Sequence, residues 1–218
     1  MKYKIQVPEN LNEITLEQYQ RFDKVNTKEN EDSAFLLQKT VEIFCRLELN
    51  KVAKIKFASI KNVIADLNKV FVQPTKLIPT FKLDNVNFGF IPVLDDMTLG
   101  EYVDLDANIK GWESMHKAMS VLYRPITYFK NNKYQIEEYT GIKHDDLLLQ
   151  MPLSIVFGAM VFFWNLNKEL VKTTLSYLQK HNQLTIQQRE ILEKNGDGIN
   201  QSMDSLKEML PSLMRSQL

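Results

Sequence analysis

One cysteine in 218 residues leaves no partner for a disulfide within the chain, so the fold must rest on a packed core. A chain of this length can supply one, as one large domain or two small lobes. That cysteine, Cys45, stands beside Phe44 on a helical pattern and reads as a buried reduced thiol, not a nucleophile. Glycine is scarce too: the seven present form no phosphate-cradling loop between a strand and a helix, which argues against a nucleotide enzyme. Neither sign of charge is in excess, with 27 basic and 27 acidic residues. That balance removes the counterion-release drive behind most nucleic-acid binding, and no nucleic-acid partner is expected. The longest apolar run, Met151 to Trp164, is too short for an ordinary membrane span. The N-terminus, Met1-Lys2-Tyr3-Lys4-Ile5-Gln6-Val7-Pro8, alternates apolar and charged residues and has no signal-peptide core or cleavage site. It reads as a short strand in a product that is not secreted.

Site chemistry is equally sparse. His116, His144 and His181 are far apart, and none has a second His, Cys or acid at zinc-helix spacing. Asp95, Asp96, Glu101, Asp104 and Asp106 could in principle gather a hard cation, but their place around a helix start favours capping and dipole roles. Asn195-Gly196-Asp197-Gly198 lacks the ligand spacing and the closing acid of a calcium loop. No base, orienter and nucleophile can be assembled. The expectation is no catalytic residue, no metal and no cofactor.

What the chain does contain is helix signals. Thr15-Leu16-Glu17-Gln18 is a capping box that starts a helix at Leu16. Ser33 caps a second helix with the stripe Leu36, Leu37, Thr40, Val41, Phe44 and Leu47, expected to end near Asn50. A third spans about Ser59 to Phe71. Pro74 and Pro79 then close the helical region. From Leu77 to Val93 the pattern alternates: Phe81 and Leu83, the turn Asp84-Asn85, then Val86, Phe88 and Phe90. This predicts a β-hairpin with Pro79 and Pro92 at strand ends, in a small sheet that the N-terminal strand could join.

Thr98-Leu99-Gly100-Glu101 is a second capping box, and a helix through Trp112, Met115, Met119, Val121 and Leu122 ends at Arg124-Pro125. Residues 126–141 show no clear period and read as a loop with at most a short helix over Gln135 to Tyr139. Pro152 sits in the first turn of a long helix reaching about His181, buried all round at its start and therefore central. A third box, Thr185 with Gln188, precedes a methionine-rich stripe of Ile199, Met203, Leu206, Met209, Leu210, Leu213 and Met214. That stripe fits packing on its own domain or an adaptable partner surface. The predicted class is mainly α with a small β-hairpin or sheet, divided as 1–76, 77–181 and 182–218.

The first two boxes belong to a longer repeat. Glu13-Ile14-Thr15-Leu16-Glu17-Gln18-Tyr19-Gln20-Arg21-Phe22-Asp23 matches Asp96-Met97-Thr98-Leu99-Gly100-Glu101-Tyr102-Val103-Asp104-Leu105-Asp106 at acid, apolar, Thr, Leu, Gln or Glu, Tyr, apolar and Asp positions. Ile14 with Tyr19, and Met97 with Tyr102, stand at the spacing of a hydrophobic staple. Cap and staple account for all but the final Asp; the sharper reading is a pair of docking elements. Candidate partner contacts are Tyr102, Trp112, Tyr123 and Arg124, since aromatic and Arg residues dominate hot spots, though each equally suits a core.

The segment Phe88-Gly89-Phe90-Ile91-Pro92-Val93-Leu94-Asp95-Asp96-Met97-Thr98-Leu99-Gly100-Glu101-Tyr102, with Met115-His116-Lys117-Ala118-Met119 and Leu122-Tyr123-Arg124-Pro125-Ile126, resembles small proteins of tailed bacteriophages encoded among virion and tail-assembly genes. The likeness continues through Met151-Pro152-Leu153 and Phe162-Phe163-Trp164-Asn165-Leu166. It implies a non-enzymatic virion subunit at the portal, connector or baseplate, with a transient tail-assembly chaperone as the alternative and a small regulator of a host protein as a third. Expected partners are other phage structural proteins or further copies of the chain, with no membrane partner, in the virion or the infected cell's cytoplasm.

Overall fold

The computed structural model describes residues 5–31 and 33–180, with side chains of the last helix to residue 166 and at Glu169 and Thr173. Thr185, Gln188, His181 and the methionine-rich stripe lie outside the described residues, as do Met1 to Lys4. The class is mainly α with a small antiparallel sheet, as predicted.

Four helices come first: α1 (Leu16–Asp23), α2 (Ala34–Phe44), the short α3 (Leu49–Val52) and α4 (Phe57–Phe71). Ser33 caps α2 through the Leu36 amide, but α2 ends six residues before the expected Asn50. Cys45 closes it, and Arg46 takes a left-handed φ of 52° that turns the chain out of the helix. No glycine or proline marks that break, so the apolar periodicity ran past it unbroken. In α4, Ile60, Val63, Leu67, Val70 and Phe71 form the buried stripe.

The hairpin is β1 (Thr80–Leu83) and β2 (Val86–Phe90), turned at Asp84 and Asn85, both at positive φ. Pro79 and Pro92 flank it, where a missing N–H breaks no ladder. The sheet then extends where a loop was expected. β3 (Tyr123–Lys130) pairs with β2, and β4 (Lys133–Ile136) pairs with β3, giving the order β1-β2-β3-β4. Residues 135–139 form no helix. The turn residues Asn131 and Asn132 sit at φ 52° and 59°, the left-handed pair that asparagine tolerates best among residues with a side chain. Residues 5–8 are not a strand. Proline at position 8 donates no ladder bond, and the chain runs instead into a 3-10 turn at Leu11–Glu13 capped by Asn10.

Between the hairpins lie α5 (Leu99–Asn108), a 3-10 turn at Trp112–Ser114 and α6 (Met115–Leu122). After the sheet come the short α7 (Asp145–Leu148), which the sequence reading did not anticipate, and α8 (Leu153–Lys180). The start of α8 is buried nearly all round: Leu153, Val156, Phe157 and Ala159 have no exposed surface. Gly158 is obligatory there, because a Cβ would stand 2.2 Å from the Lys76 carbonyl, in the connection between α4 and β1. Among the described residues no helix is long and apolar enough to cross a membrane.

One cluster of buried side chains runs from Leu11 and Leu16 through Phe44, Leu67, Phe88, Met119 and Phe157. The boundary at residue 77 therefore marks a change from helices to strands and not a division of the core. The ends of this core are tied by backbone: the first amides of α1, Leu16 and Glu17, donate to Met151 and Leu149 (2.9 and 2.8 Å), while Leu153 at the start of α8 donates to Ile14 (2.8 Å). Two helix N-termini thus satisfy each other's chain, and amides that would otherwise need water are paired inside.

Candidate functional site

Both capping boxes form, and they end in different surroundings. At the first, Thr15 Oγ1 accepts from the Gln18 amide (3.2 Å) and the Thr15 amide donates to Gln18 Oε1 (3.1 Å). The Gln18 side chain, 6% exposed, donates onward to the Ile43 carbonyl at 2.6 Å and so fixes α1 against α2. At the second, the Glu101 amide donates to Thr98 Oγ1 (3.3 Å), while the Thr98 amide and hydroxyl both donate to Glu101 Oε2 (2.7 Å each).

The other oxygen of Glu101 receives Arg124 of β3 at 2.5 Å. The pair is buried, at 5% and 12% side-chain exposure. A carboxylate in this position would be costly without its cation, so α5 and β3 are held by one mutual neutralisation. The Arg124 guanidinium lies 5.6 Å over the Tyr139 ring, and the Tyr139 hydroxyl donates to Asp104 of α5. Burial, and then the bond to Asp104, push the Tyr139 hydroxyl well above the ordinary tyrosine range. Arg124 Nε has no hydrogen-bond partner among the described residues. The sequence-predicted contact Arg124 is thus an internal strut.

Trp112 and Tyr123 are in the core and are corrected as candidate surface contacts. Trp112, 5% exposed, packs 4.3 Å from the Tyr19 ring and 5.7 Å from Phe157. Tyr123, 1% exposed, is ringed by Phe81 and Phe90 and donates to the Ile78 carbonyl at 2.9 Å, and burial raises its pKa. Both carry aromatic bulk, which sequence alone cannot assign to a core or to an interface. Tyr102 stays outside, 60% exposed.

Several other polar groups are used internally. Gln20 of α1 donates to the Trp112 carbonyl (2.7 Å) and lies 3.0 Å from His116 Nδ1, joining α1 to α6. His144 faces Glu137 at 3.2 Å. Cys45 is buried, and desolvation raises its thiol to about 11, which leaves it protonated and inert at neutral pH. The acids around α5 go separate ways, Glu101 to Arg124, Asp104 to Tyr139 and Asp106 to Lys110, and among the described residues no three ligating side chains converge on a metal-sized point.

Two surface regions stand out. On α5, Leu99, Tyr102 and Val103 form an outward apolar stripe at 78%, 60% and 54% exposure. At the end of the β3–β4 hairpin, Tyr128 and Phe129 are 52% and 60% exposed, and Phe129 borders a groove of about 360 Å³ lined by Thr80, Phe81, Lys82, Asn87 and Ile126. The hairpin end was missed in the sequence, although Asn131-Asn132 between two aromatic-rich runs is its signal. A second cavity, of about 450 Å³ beside the first capping box, mixes Arg21 and Arg46 with Glu17, Glu42 and Glu48, so both signs of charge line it.

No protein-family model matches the chain, and searches of curated proteins and of solved structures return no match.

Proposed function

We propose that this chain is a non-enzymatic structural or assembly component of a tailed-phage particle, a portal-, connector- or baseplate-associated subunit that works by protein–protein contact. The observation that carries this reading is the apolar stripe Leu99, Tyr102 and Val103, left outward on an ordered helix. Scattered exposed apolar residues are ordinary on soluble proteins, but three large ones at positions i, i+3 and i+4 form a continuous face, which is the form a helix takes when it has a partner. The stripe begins in the same Phe88–Tyr102 segment that resembles phage virion and tail-assembly proteins. Two of the acids on this helix are absorbed by the fold, Glu101 by Arg124 and Asp104 by Tyr139, which supports a contact role for this region over a chemical one.

Quantitative mass spectrometry of purified particles tests this. Recovery at a fixed copy number per particle is expected. Recovery only from infected-cell extracts, bound to a tail or hub precursor and absent from particles, replaces the subunit with the transient chaperone. Recovery with host proteins alone overturns both.

A further inference from the structure

Three acids and two arginines line the cavity beside the first capping box, and the acids are already engaged. Glu42 is paired with Lys39 at 2.7 Å and Glu48 with Lys51 at 2.8 Å. Glu17 stands one helical turn before Arg21, but its carboxylate accepts from Gln150 Nε2 at 2.7 Å and forms no ion pair with that arginine. Arg21 and Arg46 have no side-chain ion pair or hydrogen bond among the described residues, and both reach solvent. Once Lys39 and Lys51 are set against the acids that they neutralise, the cavity wall carries an excess of positive charge.

Arg46 stands there at a conformational cost. The Leu47 amide donates to the Glu42 carbonyl at 3.1 Å, a helix closure in which the residue before Leu47 is left-handed, here Arg46 at φ 52°. Glycine is the usual occupant of such a position, because a Cβ crowds the backbone. The other side-chain-bearing residues at positive φ among the described residues are Asp84, Asn85, Asn131, Asn132 and His144, all of types enriched in this region. Arginine is not one of these types. Strain that a fold retains points to a use for the side chain, and among the described residues nothing within the chain bonds this one. A cation does favour the carbonyl end of α2, yet any flanking position would serve that purpose without a left-handed residue.

We propose that this cavity is an oxyanion-binding site, in which Arg21 and Arg46 take the carboxylate or phosphate group of a ligand. The guanidinium fork matches the geometry of both groups. Arg21 belongs to α1 and Arg46 to the end of α2, and Gln18, itself part of the cavity wall, locks the two helices together through the Ile43 carbonyl at 2.6 Å. The two cations therefore sit on a fixed frame, which lowers the cost of ordering a site. At about 450 Å³ the cavity has the size of small-molecule sites, and Ile43 and Leu47 give it an apolar side for a short carbon chain. Because both arginines reach solvent, the affinity is modest and falls with salt. The site stands apart from the assembly role proposed above, since the purified chain alone tests it.

The experiment is calorimetric titration of the full chain at constant ionic strength with inorganic phosphate, with glutarate and with a short glutamate peptide blocked at both ends. Saturable binding of at least one probe is expected. Arg21→Gln and Arg46→Gly should each weaken it about tenfold or more, while Lys133→Gln, on the β3–β4 hairpin, should leave it unchanged. Arg46→Gly is the sharper variant, because glycine relieves the left-handed residue: it should unfold at the wild-type temperature or above, so that lost binding is not a lost fold. Tighter binding of phosphate or glutarate than of the peptide assigns the site to a free small anion, and the reverse assigns it to an acidic protein segment; dependence on both arginines supports the site in either case. No saturable binding of any probe overturns the proposal. So does binding that survives either arginine variant, and so does an Arg46→Gly chain that unfolds below wild type, which would make Arg46 a structural cap of α2.

Discussion

Helices α1 and α5 begin with the same local chemistry and end in opposite situations. Thr15 and Thr98 cap them through the same reciprocal bonds. Beyond the cap the positions diverge in register: Leu16, Tyr19 and Gln20 are buried, while their counterparts Leu99, Tyr102 and Val103 are exposed. The third helical position, Gln18 or Glu101, is buried in both, and the seventh, Phe22 or Leu105, packs on the core in both. A capping box therefore decides where a helix starts and says little about which face is covered. The surroundings decide that: α1 lies against α2, α8 and the turn before α6, whereas α5 docks by one side on α6 and β3. The oddest pair is the fifth position, where the buried helix holds a glutamine and the exposed helix a valine. The glutamine is held by a specific contact within the fold, to the Trp112 carbonyl, while the valine continues the outward stripe of Leu99 and Tyr102.

The sharpest way to break the comparison is to truncate the two matched tyrosines. Tyr19 touches Phe22, Phe71, Trp112 and Phe157 with ring centroids 4.3 to 6.0 Å away. Tyr19→Ala should cost about 3 to 5 kcal/mol in denaturant unfolding. Tyr102→Ala should stay within about 0.5 kcal/mol for the monomer. Equal costs would mean that the two staples are equivalent after all.

Next in size is the charge at the second box. Arg124→Met leaves the Glu101 carboxylate buried without its cation and should cost about 3 kcal/mol or more. Pairing it with Glu101→Gln removes the stranded charge and makes the second box chemically like the first. Much of the loss should then return in the double variant. A double variant no better than Arg124→Met alone would show that packing of the arginine stem over Tyr139, not the ion pair, holds α5 to the sheet.

This contrast also shows what was legible in the sequence. Caps at Thr15, Ser33 and Thr98 and the Asp84-Asn85 turn follow from bonds between residues three apart, so the sequence displays both partners. The end of α2 at Arg46 rests on a left-handed residue that carries no glycine signature. β3 and β4 were hidden because Pro125 closes the preceding helix and also stands inside β3, where its carbonyl accepts from the Glu137 amide at 2.8 Å. The pair Glu101–Arg124 spans 23 residues and an intervening helix, and Gln20 reaches Trp112 across 92. Spacing rules do not extend that far, which is why Arg124 and Trp112 read as surface contacts and Glu101 as a cap alone.

A smaller effect separates the two cap hydroxyls. Thr15→Ala removes one neutral bond to the Gln18 amide and should cost about 1 kcal/mol. Thr98→Ala also removes a donor to a buried carboxylate and should cost about 2 kcal/mol. Serine at either position should restore most of the loss. If both alanine variants cost the same, the Thr98 hydroxyl's bond to Glu101 adds nothing to the cap.

The smallest effect concerns the fifth position, and it is a dependence on pH. The Gln20 amide nitrogen that donates to the Trp112 carbonyl also faces His116 Nδ1, so that ring nitrogen must accept and the ring must be neutral. Burial lowers the His116 pKa; the carboxylate of Asp145 opposes that shift, Lys117 adds to it and Asp146 opposes it weakly. A histidine whose folded pKa lies below its unfolded value binds fewer protons folded than unfolded. Its contribution is complete above the unfolded pKa, about 6.5, and declines as pH falls through that value toward the folded one. The ring is partly exposed, so solvent screening keeps the effect small. Wild type should therefore lose slightly more stability between about pH 7.5 and 5.5 than His116→Asn, in which the titrating ring is gone. Val103→Ala, at the matching position of α5, should keep the wild-type slope. A slope that survives His116→Asn would place the titration elsewhere and leave Gln20 as a purely structural tie between α1 and α6.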